Sequence, residues 1–284
     1  MLTRLAPTPS GFLHKGNIYN ILLNWLWARS NNGKVLLRID DADTERKRPE
    51  YINDIFNVLH WLGLNWDIGP SNPADLEQNW SQVHRTPIYT ALLSELTSKN
   101  LIFSCICSRK QLQTQSCSCI NKQYSLHHPG AVWKIKKPAT AAIPCRDKFL
   151  GTQILYLPGS ANAYILKKKN GLPAYQVCSL ADDRHFGVTH ICRGKDLMES
   201  SAMQLYIDAN LDTACLANCC FWHHPLLTTD TGTKLSKSAG NTAHSLINTI
   251  SKAKLLEAFA AWAGIPNAKG ITLNHLLQES LFTI

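Results

Sequence analysis

Short apolar runs alternate with segments of helical period along the first hundred residues. Leu2 to Ala6 is an apolar run that ends in a Pro-, Thr- and Ser-rich turn. Behind it, Ile18, Ile21, Leu22 and Trp25 recur at the spacing of one helix face. Asn31-Asn32-Gly33 closes that helix, and Val35 to Ile39 reads as a buried strand. Strand, helix and strand within about 40 residues make a βαβ unit, which implies a parallel sheet with a right-handed crossover. A ligand then belongs at the carboxyl ends of the strands. Both His14 and the acidic run Asp40-Asp41-Ala42-Asp43 fall there.

Farther along, Pro49 opens a helix with Ile52, Ile55, Phe56, Leu59 and Leu62 on one face, and Gly63 stops it. Thr86-Pro87 caps another helix, which runs to Asn100. Residues 101–150 change character, with clustered cysteines and then a Lys- and Pro-bearing stretch, and read as an insertion. The pattern predicts strands at Tyr164–Lys168 and Pro173–Leu180 around an Asn170-Gly171 turn. It also predicts a helix through Met203, Leu205, Tyr206 and Ile207, and a last core strand at His223–Leu227. A polar loop, Thr228 to Asn241, and about forty helix-prone residues follow. The expected organisation is therefore 1–100 and 151–240 as two halves of one α/β domain, 101–150 as the insertion, and 241–284 as a short helical segment.

Composition narrows this. At 284 residues, 45% hydrophobic and 17% charged, the chain is globular. No apolar run approaches the roughly 18 residues of a membrane span, and the N-terminus lacks a secretory pattern. A cytoplasmic protein with no membrane partner is expected, and a monomer. The net charge of +9 favours a polyanionic partner. Four of the ten cysteines, Cys105, Cys107, Cys117 and Cys119, form C-x-C-x9-C-x-C. Two close thiolate pairs suit tetrahedral zinc with no position left open for catalysis. Tyr124 and His128 stand near enough to be alternative ligands.

The turn before the first helix also carries chemistry. Free N–H groups and the positive dipole end seat phosphate there, beside His14 and Asn17. Gly11 and Gly16 have the outer spacing of a P-loop, but Asn17 and Ile18 stand where Lys and Ser/Thr are required, which excludes a Walker NTPase.

RLAPTPSGFLHKGN, residues 4–17, resembles the first signature (HIGH) of class I aminoacyl-tRNA synthetases in its glutamyl form. KLSKS at 234–238 resembles the second (KMSKS). Between them LRIDDAD, GLPAYQ, SLADD, GVTHICRGKDL and HHPLL follow in the order of the glutamyl/glutaminyl subclass. The resemblance implies a Rossmann-like parallel sheet with a zinc-stapled insertion. It also implies ATP-dependent activation of glutamate, with Mg2+ accompanying ATP. His14, Gly16 and Asn17 would meet the ATP phosphates, and Lys237, supported by Lys234, would neutralise charge as pyrophosphate leaves. Arg4, Ala6, Thr8, Asp40, Tyr175 and Arg193 would hold the amino acid, the two arginines suiting a dicarboxylate.

Two departures matter. The family's acidic segment has Glu where this chain has Asp40, one methylene shorter. Only 46 residues follow Ser238, where a full glutamyl-tRNA synthetase continues with an anticodon-binding part. The chain therefore resembles the truncated glutamyl-queuosine tRNA(Asp) synthetases, which implies a tRNA partner, tRNA(Asp), modified on its queuosine base. Adenylation with a tRNA 3′ end or a carrier protein as acceptor is the alternative, and a non-catalytic tRNA-binding module is the third reading.

Overall fold

A computed structural model describes residues 1–108, 110–114, 117–138, 142–159, 164–227 and 244–283. The chain runs β1 (Leu2–Leu5), α1 (Lys15–Arg29), β2 (Lys34–Leu37), α2 (Pro49–Leu62) and a helix at Thr86–Ser98. Next come β3 (Ile102–Cys105), β4 (Val132–Ile135), β5 (Ala142–Asp147), β6 (Gly151–Tyr156) and β7 (Ile165–Lys167). A helix at Tyr175–His185, β8 (His190–Gly194), a helix at Met198–Ala209, β9 (Cys220–His224) and a helix at Lys252–Trp262 complete it. Contacts gather these into two compact units: Met1–Ser81 with Val188–Lys195 and Trp222–Ile284, and Gln82–Gly187 with Asp196–Phe221.

In the first unit β1 and β2 pair in parallel, from Leu2 opposite Lys34 to Leu5 opposite Leu37, with α1 as the crossover. The Thr189 N–H donates to Leu2 O at 3.0 Å, which brings the start of β8 alongside the other edge of β1. β9 is the neighbour of β8. α1 is buried on nearly every side, from Ile18 through Leu22, Leu23 and Leu26 to Trp27. Burying each large apolar side chain of this kind contributes about 1.5–3 kcal/mol. Trp27 meets the Trp222 ring edge-on at 5.5 Å, which packs α1 on β9. α2 starts at Pro49, where a missing N–H costs nothing. It ends at Gly63, whose φ of 79° is left-handed and comes without strain only to glycine.

The second unit holds an antiparallel sheet in the order β3-β4-β7 and the antiparallel β5–β6 hairpin. Its buried polar centre is Asp182, which is fully enclosed. Arg85 donates to both carboxylate oxygens at 2.7 and 3.0 Å, Gln82 at 2.9 Å and the Tyr89 hydroxyl at 2.9 Å. Burial, and then the Asp182 charge, push the Tyr89 phenol well above its ordinary range. A buried carboxylate is tolerable when it accepts this many bonds.

Three sequence expectations shift. Pro173–Leu180 is not a strand: Pro173 makes one isolated bridge to Lys167, and helix begins at Tyr175. A short apolar run looks the same in a buried helix as in a buried strand, and Val177, Cys178, Leu180 and Ala181 are all buried in the helix. The last strand is Cys220–His224 rather than His223–Leu227. Pro225 has no N–H to continue the ladder. The helix expected from a Thr86 cap has Arg85 at the cap, with no side-chain bond, and Thr86 as its first residue. Among the described residues no helix is long and apolar enough to cross a membrane.

Candidate active site

α1 begins on a reciprocal cap. His14 Nδ1 accepts from the Gly16 N–H at 3.1 Å, and Asn17 Oδ1 accepts from the His14 N–H at 3.2 Å. Because Nδ1 supplies a lone pair to an N–H, a neutral ring carries its proton on Nε2. The ring is thus held in one orientation at the positive end of a 15-residue helix. Gly16 is part of this geometry. A Cβ there would stand 3.0 Å from His14 Cε1 and 3.1 Å from Nδ1, tighter than ordinary contact. The residue before His14 is tied down as well: the Leu13 N–H donates to Asp54 Oδ2 on α2 at 2.9 Å, and Phe12 packs edge-on against Tyr51. Asp54 is 4% exposed, so the loop between β1 and α1 is anchored by a buried carboxylate.

Beside this helix start lies a buried polar ladder. The Asn24 amide donates to Cys192 O at 3.1 Å, to Asn20 O at 2.9 Å and to Asn20 Oδ1 at 3.0 Å. Thr3 donates its hydroxyl proton to Asn24 Oδ1 at 2.8 Å. Main-chain carbonyls only accept, so these bonds fix the orientation of both amides and turn Asn20 Nδ2 toward His224 Nε2, 3.1 Å away. His224 Nδ1 then donates to Pro225 O at 2.7 Å, so the ring is neutral with its proton on Nδ1. Arg4 Nη1 joins at the same Cys192 carbonyl, at 3.4 Å. Arg4 on β1 and Arg193 on β8 are 4% and 2% exposed. Both guanidinium-bearing residues are thus buried, on strands that lie alongside each other.

The acidic run after β2 divides its work. Arg38 grips Asp40 bidentately, Nε to Oδ1 at 2.6 Å and Nη2 to Oδ2 at 3.1 Å, with both residues buried. Such a fork fixes the plane of the carboxylate. Asp41 accepts from Ser81 Oγ at 2.7 Å and from Lys47 Nζ at 2.9 Å, and Lys47 also meets Glu77 at 2.6 Å. Burial alone would lower the Lys47 ammonium, but the hydrogen bonds and charges of Glu77 and Asp41 outweigh it and raise the group above its ordinary value.

In the second unit the four cysteines converge. Sγ of Cys105 lies 3.5 Å from that of Cys117, Cys107 lies 3.4 Å from Cys119 and 4.0 Å from Cys117, and all four fall within 4.8 Å of one another. Tetrahedral zinc with bonds of about 2.3 Å would separate its sulfurs by about 3.8 Å. The donor set and the spacing both fit. Burial and the neighbouring thiols push Cys107 up to about 12 and also raise Cys117. Burial opposes ionisation of Cys119 too, but the Ile106 N–H and the other thiols bring it below its ordinary value. His128 is engaged elsewhere, with Nδ1 at 2.9 Å from Pro129 O, and its ring packs on Tyr124. Neither alternative ligand is needed.

A family model described as "tRNA synthetases class I (E and Q), catalytic domain" matches residues 1–253. The chain belongs to this family. Class I synthetases are ligases, and the family assignment agrees with the glutamyl resemblance read from the two signature segments. A Burkholderia orbicola protein named glutamyl-Q tRNA(Asp) synthetase is 31% identical over 277 residues, 93% of this chain and 88% of that protein. A Buchnera aphidicola glutamate–tRNA ligase is 31% identical over 249 residues, and the match spans 83% of this chain and half of that ligase. The structure of a glutamate-tRNA synthetase from Elizabethkingia anophelis has the same fold, with a TM-score of 0.78 at 20% identity over 99% of this chain and 66% of that one.

Of the residues expected in the synthetase site, Arg4, Ala6, Thr8, His14, Gly16, Asn17, Asp40 and Arg193 all lie in the first unit, on β1, β8 or the segments that follow β1 and β2. Thr8 is exposed and Ala6 half-buried on the β1–α1 loop. Tyr175 belongs to the second unit, as the first residue of its helix, and is 42% exposed. Lys234 and Lys237 lie outside the described residues. The sequence reading missed Asn20, Asn24, Asp54 and the role of His224. Two asparagines four apart within an apolar helix were the available signal, since buried amides require partners.

Proposed function

We propose that the chain activates glutamate with ATP and transfers it to a tRNA, the acceptor being the queuosine base of tRNA(Asp). The observation that carries the first step is the His14–Gly16–Asn17 cap, which fixes the His14 ring at the positive N-terminal end of α1, where phosphate would lie. In that step a glutamate carboxylate oxygen attacks the α-phosphorus of ATP, and the bond to the β-phosphate oxygen breaks to release pyrophosphate. Negative charge grows on the phosphates, and donors fixed in advance stabilise it without reorganising. His14 and the α1 terminus serve the phosphates, with Lys237, supported by Lys234, neutralising charge and Mg2+ accompanying ATP.

Arg4 and Arg193 receive substrate carboxylate, and Asp40, its plane set by Arg38, meets the α-ammonium. Tyr175 contributes a hydroxyl contact, and Ala6 and Thr8 line the amino-acid side. The four-cysteine site holds zinc as a staple of the insertion and takes no part in adenylation. In the second step a hydroxyl of the acceptor attacks the mixed anhydride, and AMP leaves. The acceptor assignment is supported by the relative matched over 88% of its length, itself named for tRNA(Asp). Glutamate-dependent ATP–pyrophosphate exchange without tRNA tests activation. Labelled glutamate offered to queuosine-containing and queuosine-free tRNA(Asp) tests the acceptor, and equal charging of a tRNA 3′ end would reject it.

A further inference from the structure

The β5–β6 hairpin of the second unit has one face turned to solvent. Its cross-strand pairs Ala142–Tyr156, Pro144–Ile154 and Arg146–Thr152 are all exposed, while Cys145, Asp147 and Leu155 of the opposite face are buried. Tyr156 is 71% exposed and Ile154 51%, and the turn adds Phe149 at 52% and Leu150 at 49%. Ile154 and Tyr156 share one face of β6 and Phe149 and Leu150 stand at its turn, large apolar and aromatic groups of a kind rarely displayed together without a partner.

The charges decide what that partner is. Asp147 is the only acid between Ala142 and Gly159, and it is folded inward, 4% exposed, accepting from the Phe149 and Leu150 N–H groups at 3.1 and 3.3 Å. Of the two basic residues beside it, Arg146 is exposed and Lys148 half-buried, with its ammonium 5.3 Å from the centre of the Phe149 ring. The hairpin therefore shows aromatic and aliphatic surface flanked by positive charge alone, on a chain of net charge +9. A self-complementary contact between two copies would set this basic strip against itself. Duplex RNA offers phosphates and hydroxyls but keeps its base faces stacked. Unpaired RNA offers both phosphates and free base faces, the two groups this strip complements.

We infer that the exposed face of the β5–β6 hairpin is a stacking platform for unpaired nucleotides of the RNA acceptor, with Tyr156 as the stacking ring and Arg146 and Lys148 as phosphate contacts. This deepens the tRNA reading above and rests on it. The test uses the full chain and fluorescein-labelled RNA, one short unstructured strand and one blunt duplex of the same composition. Tyr156→Ala should weaken binding of the unstructured strand roughly tenfold, as expected for loss of one stacked base, and Tyr156→Phe should restore it. Arg146→Gln and Lys148→Gln should each reduce the salt dependence of binding by a slope of about 0.7. Glutamate-dependent pyrophosphate exchange serves as the separate readout of the parent reading, and Tyr156→Ala should leave it at the wild-type rate. Binding of the unstructured strand by Tyr156→Ala within twofold of wild type overturns the platform, as does an equal loss on the duplex. Sedimentation showing a dimer that Tyr156→Ala dissociates would also overturn it.

Discussion

Substituting Gly16 by alanine isolates the geometry of the α1 cap from its stability. The added Cβ would sit 3.0 and 3.1 Å from two atoms of the His14 ring, so the imidazole must recede by about 0.4 Å to reach ordinary contact near 3.4 Å. That movement weakens the bond from the Gly16 N–H, and losing a cap costs about 0.5–2 kcal/mol. Alanine in place of glycine in a helix returns about 0.5–1 kcal/mol. The two nearly cancel, so the melting midpoint should hardly move. Catalysis has no such compensation. Misplacement by about 1 Å costs on the order of a hundredfold, so a shift of under half that should cost roughly tenfold in glutamate-dependent pyrophosphate exchange. The decisive assay is a double-mutant cycle with His14→Ala. If Gly16 acts only by seating the imidazole, Gly16→Ala adds nothing once the ring is gone. Losses that multiply in the double variant, or a single variant exchanging at the wild-type rate, would refute the reasoning.

Three other outcomes are expected. Asp182→Asn should destabilise the second unit by about 3–5 kcal/mol, read from urea unfolding, because Arg85 would be left buried without its counter-charge; a loss below about 1 kcal/mol would contradict this. Zinc analysis should find one ion per chain. Cys119→Ser or a strong chelator should open the 105–119 segment to protease, with exchange activity retained, and a metal-free chain equally resistant would count against the site. The Asp67 carboxyl is pushed up by burial but held below its ordinary value by the Val35 N–H and Arg29. A lowered folded value stabilises above the unfolded one, near pH 4, and that contribution disappears as pH falls through the folded value. The stability gap between wild type and Asp67→Asn should thus be full at neutral pH and close below about pH 4, and a gap independent of pH would refute it.

What the sequence revealed followed from how local each feature is. His14, Gly16 and Asn17 span four residues, and the cysteine pairs sit within fifteen, so spacing alone brought them together. The βαβ start was readable because α1 and its two strands follow one another directly. The helix at Tyr175–His185 was not, because its buried face continues through Ser179, Asp182 and Asp183, which blurs a short period. No local pattern marks Asp182, because its partners Gln82, Arg85 and Tyr89 lie about a hundred residues earlier. The fork between Arg38 and Asp40 is two residues long, yet nothing in a run of charges says which acid an arginine will take.

The carbonyl of Cys192 accepts bonds from Arg4 and Asn24, and Asn20 Nδ2 reaches it at 3.5 Å. A main-chain oxygen is the one acceptor that no side-chain substitution removes. In a saturation mutagenesis scan, position 192 should therefore tolerate other small residues that fit its buried site, while Arg4 and Asn24 tolerate almost none. The tolerance map would then show a permissive position at the centre of a constrained ring. Sequence drift at position 192 would carry no information about the chemistry that passes through it, and the record of that chemistry would be kept by its donors on β1 and α1.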